Sequence, residues 1–181
     1  MSESARTEHK YARLEYERRF LVDRLPPEVR VTRVRQINDR YIDGTTLRLR
    51  EQVEKDSPGV FKLTQKLPTS AASVQERVIT TIYITQSEFK VLAQLPAKTL
   101  TKIRHSVPPF GIDVFHGTLK GLVLAEAEFD SPVRAGALVL PAFLRREVSS
   151  DERFTGGRLV RASREELQNW VAEYQVTLQD V

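Results

Sequence analysis

In the stretch LEYERRFLV (14–22), Glu15 and Glu17 stand two positions apart on either side of Tyr16. Side chains at positions i and i+2 of a β-strand point to the same face of the sheet. A second stretch, LAEAEFD (124–130), repeats the pattern with Glu126 and Glu128. Each stretch therefore predicts a strand with one carboxylate face and one apolar face.

Basic side chains repeat this spacing between the two acidic stretches. They are Arg48 and Arg50 in LRLR, Lys62 and Lys66 around Thr64 in FKLTQK, and Lys102 and Arg104 in KIR. A single charged strand face is common on a sheet surface. A series of faces that carries both signs instead indicates an enclosed polar site for an anion and a cation.

Short turn sequences such as DG (43–44) and HG (116–117) separate nine predicted strands. The predicted strands are 12–22, 31–43, 45–54, 59–67, 74–84, 99–107, 111–116, 121–129 and 144–149. Capping-box spacings predict two helices, one from Thr85 with Glu88 and one at about 163–177 from Ser163 with Glu166. The second helix is expected to pack its Trp and Tyr side chains on the outside of the sheet.

Many short antiparallel strands with few helices indicate either a sandwich or a closed barrel. A sandwich would bury the charged faces without water, which is energetically costly. A barrel wide enough for water and a ligand can line its interior with charges. The sequence therefore predicts a mainly β (α+β) protein built on an antiparallel closed barrel with flanking helices.

The composition and motifs of the chain exclude several kinds of functional site. The 181 residues carry a net charge of +4 and no cysteine, which excludes disulfides, thiolate metal sites and a cysteine nucleophile. Neither a P-loop nor a nucleophile elbow is present. The chain lacks an apolar run that could span a membrane and an apolar signal-peptide core, so a cytoplasmic location is expected. Residues 1–10 are expected to be a disordered tail, and 11–181 a single domain.

The residue types on the charged strand faces indicate which ligands those faces could bind. An all-oxygen carboxylate site suits Mg²⁺ or Mn²⁺, and Asp113 in GIDVF is of the right type to contribute. Inward-facing Arg and Lys groups suit a polyanion such as a triphosphate. The basic faces carry almost no aromatic residues for base stacking, so nucleic acid is not the expected ligand.

The order of these motifs resembles the CYTH family, the triphosphate tunnel metalloenzymes, and its bacterial tripolyphosphatase-like branch in particular. The resemblance covers about residues 12–160. Its motifs are E-x-E-R-x-F-L-V (15–22), L-R-L-R (47–50), L-T-x-K (63–66), K-x-R (102–104), D-V-F-x-G-x-L-x-G-L (113–122), A-E-x-E-F (125–129) and E-V-S-x-D-x-R-F (147–154).

The resemblance implies an eight-stranded antiparallel barrel that forms a tunnel for a triphosphate with Mg²⁺ or Mn²⁺. It implies metal ligation and catalysis by Glu15, Glu17, Glu126 and Glu128. It implies substrate binding by Arg19, Arg48, Arg50, Lys66, Lys102, Arg104 and, from the DERF segment, Arg153, and it places Arg19 among the catalytic residues as well.

Two departures from the family pattern bear on activity. Arg19 stands where the family signature E-x-E-x-K has a lysine, which keeps the charge but cannot readily release a proton. On the strand before the first helix, family members often carry a further Glu-x-Glu pair. The predicted register places Arg77 and Ile79 there, with Glu76 one step away.

The expected function is metal-dependent hydrolysis of inorganic triphosphate or of another triphosphate-bearing substrate. One alternative is an adenylate cyclase on the same fold. The other is a polyphosphate- or nucleotide-binding protein with little turnover. A membrane partner is not expected, and the chain could form a homodimer.

Overall fold

The computed structural model describes residues 10–69 and 74–179. The predicted tail therefore lies, except for Lys10, outside the described residues. Each predicted strand is present within three residues of its predicted ends. The strands are β1 Arg13–Leu21, β2 Arg33–Ile42, β3 Leu47–Val53, β4 Val60–Pro68, β5 Glu76–Ile84, β6 Ala97–Val107, β7 Phe110–Phe115, β8 Val123–Phe129 and β9 Arg146–Glu147.

All strand pairs are antiparallel, and the order β5-β4-β3-β2-β6-β7-β8-β1 closes on itself where β1 pairs with β5. The short β9 pairs with the end of β1 beyond this seam, opposite Phe20 and Leu21. The prediction of a closed, mainly β barrel is confirmed, with eight strands in the barrel and one added strand.

The helices are short and lie at the edges of the barrel. They are α1 Gln86–Leu92, α2 Pro132–Gly136, α3 Gly156–Leu159 and α4 Arg164–Glu173. Both predicted capping boxes are present, at Thr85 with Glu88 and at Ser163 with Glu166. In residues 10–69 and 74–179, no helix is both long and apolar enough to cross a membrane.

The barrel interior is divided into an apolar end and a polar cavity. Leu21, Leu100, Phe115 and Leu124 belong to one buried cluster that also contains Leu159 of α3 and Leu167 and Val171 of α4. On their strands these first four residues share a face with Arg19, Lys102, Asp113 and Glu126. Helices α3 and α4 therefore cover one end of the barrel. The expectation that α4 packs on the outside of the sheet is wrong.

A second cluster covers the outer face of β1, β7 and β8. It contains Phe20, Phe110, Ile112 and Ala125 and is packed by residues from the 138–144 segment, including Phe143. The rings of Phe20 and Phe143 both meet Phe110 edge to face. This apolar outer packing leaves the opposite strand face free to carry the charged side chains.

Candidate functional site

A polar cavity of about 620 Å³ occupies the rest of the barrel interior. Ten side chains that the sequence predicts for the site line it: Glu15, Glu17, Arg19, Arg48, Arg50, Lys66, Lys102, Arg104, Glu126 and Glu128. They come from β1, β3, β4, β6 and β8, so the barrel brings together residues that are up to 113 positions apart in the sequence (128 minus 15). The other two predicted residues, Asp113 and Arg153, do not line the cavity.

Three glutamates form an acidic corner of the cavity on neighbouring strands: Glu15, Glu17 and Glu128. Glu17 and Glu128 stand directly opposite each other in the β1–β8 pair, and Glu15 is two residues along the same face of β1. Burial raises the pKa of Glu15, and repulsion by Glu128 and Glu17 adds to the rise, while Lys66 opposes it from 3.0 Å. Arg13 also lies 3.6 Å from Glu15, and Arg19 lies 3.7 Å from Glu17. A divalent cation would relieve the repulsion that remains between the three glutamates.

The acidic corner fits Mg²⁺ or Mn²⁺ by the chemistry of its donors, which are all carboxylate oxygens. In the described part of the chain, however, no three acidic, histidine or cysteine side chains converge as they would around one ion. Glu17 lies 3.7 Å from both Arg19 and Lys66. The side chains would therefore have to turn toward an ion to share it.

Glu126 has a different environment from the other three glutamates. Its carboxylate accepts a hydrogen bond from Arg104 and lies 3.8 Å from Lys102. Burial alone would raise the pKa of Glu126, but the surrounding cations, led by Lys102 and Arg104, hold it well below its usual range. Glu126 is therefore already neutralised by protein cations in this arrangement.

Asp113 lies beneath the basic side chains of β6 and not in the cavity lining. It is 0% exposed and accepts hydrogen bonds from Lys102 and, at 2.7 and 2.6 Å, from the two nitrogens of the Arg104 fork. The prediction that Asp113 contributes to a metal site is therefore corrected, because its carboxylate accepts from protein cations and does not line the cavity. Its position orients Lys102 and Arg104 toward the cavity.

Asp39 orients the basic side chains of β3 in the same way, and the strand pattern of the sequence does not predict it. This carboxylate is 1% exposed and accepts two hydrogen bonds from Arg50, at 2.6 and 2.7 Å, while Arg48 lies 3.8 Å away. Burial opposes ionisation, but Arg50 and Arg48 outweigh it and lower the pKa of Asp39 well below its usual range. Asp39 and Arg50 are opposite one another in the β2–β3 register, a pairing that the sequence spacing alone does not reveal.

Arg153 is held away from the cavity. Its guanidinium lies 2.8 Å from Asp151 and 2.6 Å from Glu173, which fixes the 152–154 turn to α4. The interpretation of Arg153 as an anion ligand is therefore corrected, because both ends of its fork are already occupied by carboxylates.

Arg19 is 4% exposed and points into the cavity from the end of β1. One terminal nitrogen donates to the carbonyl oxygen of Ser149 at 3.0 Å, and the other lies 3.7 Å from Glu17. Among the described residues, the buried Nε of Arg19 has no hydrogen-bond partner. The buried Nε atoms of Arg35, Arg40 and Arg48 are unpaired in the same way.

The register of β5 is as the sequence predicts. Arg77 and Ile79 line the cavity, whereas Glu76 accepts a hydrogen bond from Tyr16 at 3.1 Å on the other strand face. Arg77 lies opposite Glu15 in the β1–β5 pair. The carboxylates that the resemblance leads one to expect on this strand are replaced by a cation.

Several lining residues were not assigned from the sequence: Tyr11, Arg13, Arg35, Tyr41, Tyr83 and Arg161. Tyr11 and Tyr83 are 79% and 72% exposed, and Lys62 stands 5.0 Å from the centre of the Tyr83 ring. The alternation of side chains along a strand could have predicted Arg35 and Tyr83, since both share a strand face with other lining residues. Arg161 follows α3 and carries no strand pattern.

The cavity carries a large excess of positive charge. Its lining contains four glutamates and eleven basic residues: Arg13, Arg19, Arg35, Arg48, Arg50, Lys62, Lys66, Arg77, Lys102, Arg104 and Arg161. A concave wall with seven more cations than anions (11 minus 4) focuses a positive potential. The arrangement is suited to a compact, highly charged anion.

Comparison with known proteins supports the fold and suggests a chemistry. No protein-family model and no curated protein matches the chain. Among solved structures, the hypothetical protein NE1496 has 27% sequence identity and a TM-score of 0.53, over 82% of this chain and 99% of its own. A second structure of it, the inorganic triphosphatase NE1496, has 26% identity and a TM-score of 0.53, over 82% of this chain and 95% of its own. The chain is thus similar in sequence and fold to an inorganic triphosphatase.

Proposed function

We propose that the chain is a metal-dependent triphosphatase of the CYTH type that hydrolyses inorganic triphosphate inside its barrel. The observation that carries the proposal is the cavity lining, where basic side chains from β3, β4 and β6 face an acidic corner. The similarity to the inorganic triphosphatase NE1496 supports the same chemistry. Triphosphate is the compact polyanion that such a lining would neutralise.

The basic wall of the cavity would bind the substrate. We give this name to Arg48, Arg50, Lys66, Lys102 and Arg104. Their side chains come from β3, β4 and β6, so they surround a linear polyphosphate from several directions. The carboxylates beneath them hold the guanidinium forks in place before the substrate arrives, which reduces the cost of ordering on binding.

The acidic corner would hold the metal, with Glu15, Glu17 and Glu128 as ligands. A bound Mg²⁺ or Mn²⁺ supplies charge neutralisation of phosphoryl oxygens and lowers the pKa of coordinated water. In this structure, the Glu126 carboxylate contacts two residues of the basic wall, Arg104 and Lys102. Its contribution would be to keep those two cations aimed at the substrate.

Arg19 would stabilise charge and would not exchange a proton. A guanidinium remains protonated at any physiological pH, so it can donate to a phosphoryl oxygen that gains negative charge during bond cleavage. Catalysis would then rest on positioning and on electrostatic stabilisation, as is general for phosphoryl transfer.

The decisive experiment measures orthophosphate release from tripolyphosphate, ATP and thiamine triphosphate with Mg²⁺ or Mn²⁺. We expect release from tripolyphosphate by the wild-type protein and a loss of about 100-fold or more in Glu17→Gln, since one charged metal ligand is removed. Glu165→Gln, an exposed glutamate at the start of α4, is the matched control and should keep full activity. Equal activity in Glu17→Gln and wild type would refute the metal assignment.

A binding protein without turnover is a second candidate, favoured by the basic Arg77 and by the absence of a converged carboxylate group in the described residues. Tight tripolyphosphate binding without phosphate release under either metal would establish it. An adenylate cyclase is a third candidate, favoured by Tyr11 and Tyr83, which are exposed in the cavity lining and could stack on a base. Formation of pyrophosphate and cyclic AMP from ATP would identify the cyclase.

A further inference from the structure

Arg19 lies where β1 changes its neighbour on one edge. Strand β5 accompanies β1 over residues 13–16, and β9 accompanies it over residues 20–21. Between these two stretches, no described strand pairs with this edge, so the main-chain polar groups there need other partners. Segment 147–149, at the point where the chain leaves β9, supplies the partners of Arg19.

Segment 147–149 binds Arg19 at its backbone and at its guanidinium. The main-chain nitrogen of Val148 donates to the carbonyl oxygen of Arg19 at 2.8 Å, and the main-chain nitrogen of Arg19 donates to the Ser149 hydroxyl at 3.0 Å. A terminal nitrogen of the guanidinium donates to the Ser149 carbonyl oxygen, also at 3.0 Å. Ser149 is 1% exposed, so water does not compete for these bonds. Ser149 therefore holds both ends of the arginine.

The Ser149 hydroxyl is itself oriented from the outer side of the barrel. It donates to a carboxylate oxygen of Glu147 at 2.6 Å, which leaves its lone pairs for the main-chain nitrogen of Arg19. Glu147 in turn accepts from two nitrogens of Arg18, at 2.9 and 2.6 Å. A chain of hydrogen bonds thus connects Arg18, on the outer face of β1, with Arg19 on the inner face.

This anchor restrains a side chain that has many other conformations. Fixing the rotamers of an arginine costs conformational entropy, which a side chain held in advance does not lose again when a ligand binds. The carboxylate of Glu17 lies 3.7 Å from the guanidinium, so an unanchored Arg19 has an acceptor of opposite charge within reach. Closing on Glu17 would occupy a carboxylate of the acidic corner. A guanidinium suits the anchored arrangement, because it can give one donor to a carbonyl oxygen and keep the others for a ligand.

We propose that Ser149 is the positioning residue of Arg19, which holds the guanidinium toward the substrate and away from Glu17. The inference rests on the proposed function, in which Arg19 stabilises charge on a phosphoryl oxygen. Ser149 does not line the cavity, so its effect on the reaction passes through Arg19. The hold on Arg19 requires neither turnover nor a metal, and it can be measured separately.

Nuclear magnetic resonance on the metal-free wild-type protein measures the hold on Arg19. The Nε–H signal of Arg19 is assigned by its loss in Arg19→Lys, and its heteronuclear NOE reports motion on the picosecond to nanosecond timescale. We expect a value as high as that of the barrel backbone. Arg134, whose side chain is 70% exposed, is the mobile reference. A wild-type Arg19 as mobile as Arg134 would overturn the proposal.

Ser149→Ala removes the hydroxyl that fixes the segment to Arg19, although the carbonyl oxygen remains. The NOE of Arg19 Nε should fall toward the value of an exposed arginine, and Ser149→Thr, which keeps a hydroxyl, should restore it. The matched control is Ser150→Ala at the exposed neighbouring serine, which should leave the signal unchanged. Equal mobility of Arg19 in Ser149→Ala and wild type contradicts the proposal. Circular dichroism reveals whether Ser149→Ala folds, and the wild-type measurement decides if it does not.

Hydrolysis of tripolyphosphate separates positioning from a merely structural effect. We expect Ser149→Ala to lower kcat about tenfold and to leave KM within about twofold, because a misplaced charge-stabilising group weakens binding of the transition state more than binding of the substrate. In an Arg19→Gln background, the same substitution should change kcat by less than about twofold, since the residue through which it acts is gone. An equal loss of kcat in both backgrounds would show a structural role and reject the positioning.

The outcomes for the two proposals are separable. An Arg19 that is fixed through Ser149, in a protein that does not hydrolyse tripolyphosphate, rejects the triphosphatase alone. Hydrolysis by a protein in which Ser149→Ala changes neither the Arg19 signal nor kcat rejects the positioning role alone.

Discussion

At the level of single residues, the basic wall depends on two buried carboxylates of the inner strand face that do not line the cavity. Asp39 accepts both donors of the Arg50 fork, and Asp113 accepts from Arg104 and Lys102. Each carboxylate is on the strand next to the cations that it holds, β2 beside β3 and β7 beside β6. These aspartates position the substrate-binding groups without contacting the substrate.

Asp39→Asn should lower the free energy of unfolding by about 3 kcal/mol, because it leaves a buried Arg50 without its counter-charge. Chemical denaturation with urea at neutral pH measures the loss. Asp130→Asn is the matched control, since Asp130 pairs with Arg134 on the surface and should cost less than about 1 kcal/mol. Equal stability of Asp39→Asn and wild type would contradict the role of Asp39.

The same substitution should change the pH dependence of stability. The pKa of Asp39 is lower in the folded protein than its unfolded value of about 3.9. The stabilisation is therefore complete above about pH 4 and is lost as the pH falls below it toward the folded-state pKa. Asp39→Asn should show a smaller loss of stability over this acidic range than the wild-type protein.

Particular residues show what the strand pattern could and could not predict. The period of two placed Glu15, Arg48 and Lys102 correctly on the inner face, because alternation is a property of any strand. The alternation could not show that Asp113 lies outside the cavity lining. The position of a residue along the barrel depends on how its strand is aligned with the neighbouring strands. Arg153 was misassigned for a related reason, as its partner Glu173 lies twenty residues away on a helix.

At the scale of secondary-structure elements, α3 covers the cavity through a close contact with β2. Gly156 and Gly157 line the cavity, and the ring of Tyr41 lies against both. Burial raises the pKa of Tyr41 to about 12, with the negative charge of Asp39 as the next cause, so the phenol stays neutral. A side chain at position 156 would collide with the Tyr41 hydroxyl.

Gly156→Ala should therefore displace α3 from Tyr41 and destabilise the protein by about 1–3 kcal/mol, the usual cost of overpacking. Thermal unfolding measures the effect. Gly136→Ala in α2 is the matched control, because an added Cβ there meets no atom within 4 Å and alanine favours the helix. A melting temperature of Gly156→Ala equal to that of the control would show that α3 is not held by this contact.

The elements themselves were largely predictable, whereas their packing was not. The strands and the two capped helices follow from alternation, turn residues and capping boxes, which are local signals. The place of α4 at the end of the barrel follows from Leu21, Leu100 and Leu124, which continue the charged faces as apolar residues. The sequence shows that these positions are apolar, but not that a helix rather than a strand covers them.

At the scale of the whole molecule, the uneven charge of the cavity stands out against a nearly balanced chain. The net charge of the protein is +4, whereas the lining alone carries an excess of seven cations. When the buried Asp39 and Asp113 are counted with the cavity, the rest of the protein is close to neutral, at −1 (4 minus 7 plus 2). An anion that approaches the molecule is attracted to the cavity and not to the surface as a whole.

Binding of tripolyphosphate should consequently weaken as salt is added. The screening length falls from about 10 Å at 0.1 M to about 3 Å at 1 M ionic strength, so contributions from the more distant cations are lost. We expect the dissociation constant, measured by calorimetry, to rise at least about tenfold over this range. A dissociation constant that is independent of salt would mean that the substrate is not held by the charge of the lining.

Strand β1 has three partners, β5, β8 and β9, which come from the middle and the end of the chain. During synthesis, the ribosome must add more than one hundred residues after Glu17 before its partner Glu128 exists. Such distant pairing is slow to form, because a long loop has to close before the stabilising contacts can form. A nascent chain therefore carries Glu15 and Glu17, two of the four cavity glutamates, before Glu126 and Glu128 exist. The complete cavity, and with it ligand recognition, forms only at the last stage of folding.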